Sequence, residues 1–290
     1  MSMHVFGAIV TYHGIAANNR GESEGNITTL QKIIWHGQPH TTVSAEAIRF
    51  ALRRLIAGDG KNKVNRTWNE DERVNSWKND SFDPARYIDD DLLGYMTAEG
   101  AEQEGEKGTA TTRRAVLDVS RAISLVPWCG DVTFNAASIG ASSGSKGDNP
   151  APYGTEVHAT RYQYGFALTP DRLKKKKRAN TAIEKLCALG PVAGNNARFL
   201  FDFSPESVVF RITEDPAPRI LYIFEQDGND TVEAPELLRR LDAGDIKADE
   251  LIVGGRLAGS KTGEKLKKKN VTVEPGVIKA AELVIKKIGE

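Results

Sequence analysis

An α+β fold is predicted by the order in which two kinds of hydrophobic pattern occur along the chain. His4 to Tyr12 is short, apolar and rich in β-formers, which predicts an opening strand. Val43, Ala47, Ile48, Ala51, Leu52, Leu55 and Ile56 recur at helical spacing and predict an amphipathic helix over Ser44 to Ala57. Apolar stretches at Ala115–Trp128 and Val157–Leu168 then precede a second helical pattern running from Pro170 to about Leu189. Strand, helix, strands, helix, strand is the order of a modified ferredoxin-like or RNA-recognition-motif core, here carrying large insertions.

Each element has a local reason. Gly14 to Thr42 is a long polar segment dominated by Asn, Gly, Thr and Glu, and long loops in compact domains usually carry function. Ser44 or Thr42 can cap the first helix, Glu46 suits its first turn, and Gly58 ends it. Arg49 and Arg53 lie one turn apart on its polar face. Residues 61–86 are polar, with Trp68 and Trp77 as their large anchors, and read as an inserted finger-like segment; the core then spans 1–60 and 87–290. Leu92–Ala98 reads as a strand with Asp89, Asp90 and Asp91 as an acidic entry, and Gly100–Thr112 as a loop. Ala115–Trp128 reads as strand rather than helix. Residues 139–154 are rich in glycine and serine and read as a flexible loop. The second helix is expected to open with Lys174, Lys175, Lys176, Lys177 and Arg178, and residues 190–198 form a glycine/asparagine turn. Val208–Thr213 and Arg219–Glu225 read as a hairpin pair. A helix near Ala234–Leu241, a strand near Leu251–Leu257 and a helix near Gly276–Ile288 complete the chain, which has no internal repeat.

Composition narrows the function. The 290 residues are 40% hydrophobic, ample for a real core. Lysine plus arginine and aspartate plus glutamate both number 39, so the net charge is zero and bulk coating of nucleic acid is excluded. Charge is nevertheless segregated: residues 61–112 carry 12 acidic and 7 basic side chains, and residues 170–198 carry 8 basic and 2 acidic. Cys129 and Cys187 are isolated, which points to a reduced compartment, and the first ten residues lack the features of a signal peptide. No apolar run approaches the roughly 20 residues that span a bilayer. The expectation is a soluble, cytoplasmic protein with no membrane partner.

Catalytic patterns are weak. Gly254–Thr262 imitates a phosphate-binding loop, but Ser260 separates Gly259 from Lys261 and no convincing strand-to-helix context surrounds it. His36 and His40 have i, i+4 spacing, yet Pro39 breaks any helix that would align them. Adjacent aspartates on a strand face opposite ways and do not converge on one metal. No nucleophile, base, metal site or cofactor is expected. Binding elements remain. Asn18, Asn19, Arg20, Gly21, Asn26 and Thr28 offer compact polar groups and backbone N–H, and His40 a ring for a nucleotide. Thr41, Thr42 and Ser44 stand at the expected helix N-terminus, where a phosphate is favoured, with Arg49 and Arg53 behind them. Gly194, Asn195, Asn196 and Arg198 form a comparable turn, followed by Phe199 and Phe201 as candidate stacking groups. A metal-dependent RNA nuclease and a DNA-binding regulator are the rival readings.

The string His13-Gly14, Asn18–Glu22, Glu24–Asn26 and Thr41–Arg49 resembles the DevR-type branch of the repeated backbone subunit of type I CRISPR Cascade complexes. Asp91-Leu92-Leu93-Gly94-Tyr95-Met96 is similar to the family's acidic-to-Leu-Gly-x-Met segment, and the resemblance covers most of residues 4–225. It implies a non-catalytic subunit of a subtype such as I-B, polymerising head-to-tail along a guide CRISPR RNA. It further implies a thumb near 190–206, pairing of the guide with a target DNA strand, and as partners further copies, the large subunit, the 5′-handle-capping subunit and the repeat-processing endoribonuclease. Where the commoner pattern has Arg-x-Arg-x-Ser-Ser-Gln, this chain has Thr41-Thr42-Val43-Ser44-Ala45-Glu46, and the basic role on the first helix passes to Arg49.

Overall fold

The structure, a computed structural model, describes residues 2–17, 23–98, 110–136, 152–193, 199–228 and 230–289. Nine strands form the main sheet: β1 (His4–Thr11), β2 (Lys32–Trp35), β3 (Gln38–Val43), β4 (Leu117–Val119), β5 (Ala122–Ser124), β6 (Tyr162–Leu168), β7 (Pro205–Thr213), β8 (Leu251–Gly255) and β9 (Thr272–Glu274). The described helices of five or more residues are α1 (Ala45–Gly58), α2 (Ile88–Leu92), α3 (Arg178–Cys187), α4 (Pro235–Asp242), α5 (Lys261–Lys268) and α6 (Val277–Gly289). β1 lies between β7 and β6, antiparallel to both, and β6 pairs on with β4 and β5. With α1 after β1 and α3 after β6, this is the ferredoxin-like core the sequence predicts. It is widened by the β2–β3 hairpin on one side and by β8 and β9 on the other.

Both faces of the centre are buried: β1 reads as a nearly continuous apolar run, and every residue of β7 is buried, Glu206, Ser207, Arg211 and Thr213 included. Val5 and Ile9 join Tyr164, Phe166 and Phe210 beneath α1, α3 and α6. Phe166 rides directly over Gly7, where a Cβ would sit 2.1 Å from its ring. On the opposite face, Phe6, Ala8 and Val10 pack against Ile220, Phe224, Leu237 and Leu266 from the chain beyond β7. Gln163 ties that cover down, donating from Nε2 to the Phe224 carbonyl at 3.2 Å and accepting the Phe224 N–H at 3.2 Å.

α1 forms as its sequence dictates. The Ser44 hydroxyl accepts the Ala47 N–H at 3.2 Å, and Ile48, Ala51, Leu52 and Ile56 fill the core. Four expectations are corrected. Gly14–Thr42 is not one loop: it contains a strand at Gly14–Ala16 and the hairpin β2–β3, closed by His36 and Gly37 at positive φ. The lysine run is not helical: Pro170–Arg172 makes one 3-10 turn, Leu173 is extended, and α3 starts only at Arg178. β7 pairs with β1 and β8, whereas residues 219–224 form no strand and go to the covering layer. The Gly254–Thr262 segment does join a strand to a helix, but the Glu233 carboxylate occupies the helix start. It accepts the Ser260 hydroxyl and the N–H groups of Lys261 and Thr262 at 2.8–3.2 Å. Among the described residues, no helix is long and apolar enough to cross a membrane.

Candidate nucleic-acid interface

The outward side of α1 forms one wall of a groove of about 1300 Å³. The facing wall is a hairpin, Arg66–Asn69 with Val74–Trp77, in which Arg66 pairs with Trp77 and Trp68 with Asn75. The Asn69 side-chain oxygen shapes its turn by accepting the N–H of Asp71 and Glu72 at 3.0 and 3.2 Å. Gly94–Met96 and Arg113 close one end; Gln31 and the stretch Leu189–Ala193 border the rim. Gly94 is required here, because it has φ +66 and a Cβ would lie 2.2 Å from the Arg113 carbonyl.

Five arginines line the groove: Arg49, Arg53, Arg54, Arg66 and Arg113. Arg49 donates to the Leu93 carbonyl and Arg53 to Asp89 at 3.2 Å, so the two arginines expected from the sequence stand in the groove already anchored. Arg54 is exposed. Arg66 lies 5.0 Å from the Trp77 ring centre, within cation–π range. The Nε groups of Arg66 and Arg113 are buried and, among the described residues, have no hydrogen-bond partner. Burial pushes the guanidinium pKa of both Arg53 and Arg66 down; Asp89 opposes the shift, and repulsion from Arg49 adds to it. Among the described residues the groove sets five guanidiniums against the Glu46 carboxylate in its lining, with Asp89 and Asp91 behind them.

Three of the groove arginines, Arg53, Arg66 and Arg113, are held by the Asp89–Asp91 run. These residues form α2, not a strand entry, and successive side chains on a helix diverge by about 100°. Asp89 accepts the N–H of Asn65 at 2.7 Å and of Arg66 at 3.0 Å as well as Arg53. Asp90, whose pKa burial raises, accepts Asn65 Nδ2 and the Asp83 N–H, both at 3.0 Å. Asp91 accepts Arg113 at 2.6 Å, Arg178 at 2.7 Å and the Lys174 N–H at 3.0 Å. Each buried carboxylate is matched by donors from a different part of the chain, as buried charge requires.

The other sequence candidates fall in different places. Asn18, Asn19, Arg20 and Gly21, and likewise Gly194, Asn195, Asn196 and Arg198, lie outside the described residues. Asn26 is exposed and Thr28 half-buried on a short strand beside Pro152–Glu156. Three candidates are corrected: His40 is not a loop histidine, and Thr41 and Thr42 do not stand at the helix N-terminus; all three belong to β3 and are buried. His40 Nδ1 bonds the Ser124 carbonyl at 2.7 Å, the Thr41 hydroxyl bonds His158 at 2.7 Å and Tyr162 at 3.0 Å, and the Thr42 hydroxyl accepts Arg121 at 3.2 Å. Ser44 uses its hydroxyl as the helix cap. Phe199 is half-buried, whereas Phe201 is core, edge-on to Tyr162 at 5.6 Å, and offers no stacking face. Sequence reasoning missed Arg54, Arg66 and Arg113. Arg54 was legible as the residue beside Arg53; Arg66 and Arg113 carry no local signal, because contacts across tens of residues, those to Asp89 and Asp91 among them, bring them to the groove.

A family model described as CRISPR-associated negative auto-regulator DevR/Csa2 matches residues 7–174. The chain is also 57% identical over 299 residues to a CRISPR-associated protein Cas7/Cst2/DevR of Myxococcus xanthus (strain DK1622), covering 99% of this chain and 98% of that protein. The chain belongs to the DevR/Csa2 family. Two solved structures share its fold at low identity. One, a CRISPR RNA-guided surveillance complex in a pre-nicking state, matches 98% of this chain and 100% of its own with a TM-score of 0.67 at 11% identity. The other, a CRISPR RNA-guided surveillance complex, matches 99% of each chain with a TM-score of 0.60 at 14% identity. The family match ends at Lys174, so it takes in the whole arginine groove except the Leu189–Ala193 rim.

Proposed function

We propose that this chain is a non-catalytic, guide-RNA-binding backbone subunit of a type I Cascade surveillance complex in the cytoplasm. Copies polymerise along a CRISPR RNA and hold it for pairing with a target DNA strand, alongside the large subunit, the 5′-handle-capping subunit and the repeat-processing endoribonuclease. The observation that carries this reading is the groove along α1, where five arginines meet Trp68 and Trp77 and two buried guanidinium Nε groups lack hydrogen-bond partners among the described residues. Arginines address phosphates without reading sequence, which suits a subunit whose guide is read by base pairing. Tryptophan faces hold bases of any identity. In this reading residues 61–86 act as a finger on a core of 1–60 and 87–290, and residues 190–206 act as the thumb. Asn18–Gly21 and Gly194–Arg198, outside the described residues, add to the RNA contacts. The consumption of Asp89, Asp90 and Asp91 by internal donors supports the non-catalytic role over a nuclease.

The test is Arg54→Ala combined with Arg66→Ala, which removes two groove charges without taking a hydrogen bond from Asp89, since Arg66 donates to it through the backbone. RNA affinity should fall equally for unrelated spacer sequences, and the slope of log affinity against log salt should flatten by about 1.4, at ~0.7 per single-strand phosphate contact. Unchanged affinity and slope would remove the groove from the RNA path.

A further inference from the structure

The hairpin that forms the far wall of the groove is fastened at its base by one side chain, Asn65. That residue is fully buried, and its polar groups are all engaged. The amide Nδ2 donates to the Asn79 carbonyl at 2.8 Å and to the Asp90 carboxylate at 3.0 Å. The amide oxygen accepts the Asn79 N–H at 2.8 Å. On the main chain, the Asn65 N–H donates to Asp89 at 2.7 Å, and the Asn65 carbonyl accepts the Lys78 N–H at 3.0 Å. One residue thus joins the incoming strand of the hairpin to the outgoing one, and both to α2. The next pair outward is Arg66 with Trp77, the cation and ring that line the groove. Trp68 follows, edge-on to Phe50 of α1 with ring centres 6.3 Å apart. Ring contacts hold over a range of offsets, whereas the amide bonds fix a distance and an angle.

We propose that Asn65 is a positioning residue for RNA: its clamp sets the spacing between the hairpin and α1 at which Arg66, Trp68 and Trp77 meet a strand lying along the helix. The role rests on the guide-RNA reading for its ligand; the clamp itself does not. The position demands an amide. It faces a carbonyl, a carboxylate and an N–H together, so it needs two donors and an acceptor on one short planar group. Aspartate keeps that shape and lacks the donors. It would also set a second carboxylate against Asp90, whose own pKa burial already raises. A wall already held in place loses less freedom when a strand binds, which strengthens binding without adding a contact.

The experiment uses the full chain with guide RNA and compares Asn65→Asp with the double variant Asn65→Asp/Asp90→Asn. The double variant returns a donor to the pair, and its new amide can still accept the Asp83 N–H. Asn65→Asp should quicken amide exchange at Lys78 and Asn79 by about tenfold or more. It should lower RNA affinity about tenfold for unrelated spacer sequences, the scale of one lost stacked base. The salt slope should flatten by ~0.7, the share of one single-strand phosphate contact. The double variant should recover part of each change. In a chain already carrying Arg66→Ala, Trp68→Ala and Trp77→Ala, Asn65→Asp should cost no more than about twofold in affinity, because the groups it positions are gone. Asn65→Ala opens the clamp without adding a charge and should lose RNA affinity in the same direction. The inference is overturned by unchanged exchange at Lys78 and Asn79, or by no recovery in the double variant. An equal affinity loss in both backgrounds, the mark of a merely structural role, also overturns it, as does full RNA affinity of Asn65→Asp in a protein that passes the Arg54/Arg66 test. Failure of the Arg54/Arg66 test itself would strike the RNA ligand, while the exchange rates would still report the clamp.

Discussion

The two faces of the central sheet have opposite fates. The face beneath α1, α3 and α6 is buried by the helices any ferredoxin-like core supplies. The other face is the one on which RNA-recognition motifs usually stack bases. Here Phe6, Ala8 and Val10 occupy it, and Phe224, Leu237 and Leu266 seal it. That face of the sheet is closed, so the proposed RNA site falls on the outer side of α1, where a hairpin and α2 collect arginines. Under the proposed function the core would be used from its helical side, while the chain beyond β7 covers the other face of the sheet.

The largest expected effect tests what holds the helical side together. Asp91→Ala leaves Arg113 and Arg178 without their buried partner and should cost about 3–5 kcal/mol in denaturant unfolding. A loss below about 1 kcal/mol, the range of exposed pairs, would mean that α2 does not organise the groove. Phe224→Ala on the sealed face should cost a comparable ~3–5 kcal/mol while leaving the RNA affinity of the folded fraction unchanged. An RNA defect without a stability defect would restore the sheet as the platform.

A pH experiment sharpens the comparison. Burial pushes His158 down to about 4, with Nδ1 against the Thr41 hydroxyl. Its folded pKa lies below the unfolded value, so the unfolded chain binds the extra proton. Stability should fall as pH drops from about 6.5 to 4, by up to ~3 kcal/mol. His158→Gln should flatten that part of the unfolding-versus-pH curve; an identical curve would assign the dependence elsewhere. The smallest effect is Ser44→Ala, which removes the α1 cap and should cost ~1 kcal/mol in thermal or denaturant unfolding.

Much of the fold was legible because it rests on local periodicity. β1, α1, β6, α4, β8 and α6 all follow hydrophobic patterns that hold within a dozen residues. The failures are places where distant groups outweigh local propensity. Lys174–Lys177 reads as the first turn of a helix, but Asp91 captures the N–H groups of Lys174 and Lys175 and holds them out of it. His40, Thr41 and Thr42 read as loop donors because they are polar; β3 turns them inward, where Ser124, His158, Tyr162 and Arg121 satisfy them. Phe201 reads as a loop aromatic and is core.

By itself the sequence determined the ferredoxin-like order of elements, the amphipathic α1 with Arg49 and Arg53 on its polar side, the separation of acidic from basic segments, and the family resemblance. These depend on spacing along the chain, which short-range sterics and burial translate directly into helix and strand. Tertiary structure alone decided which polar groups face outward, that Arg66 and Arg113 join α1, and that the sheet is sealed. Each of those outcomes is a pairing across tens of residues, set by where buried carboxylates find their donors and which apolar surfaces meet. No local pattern encodes that choice.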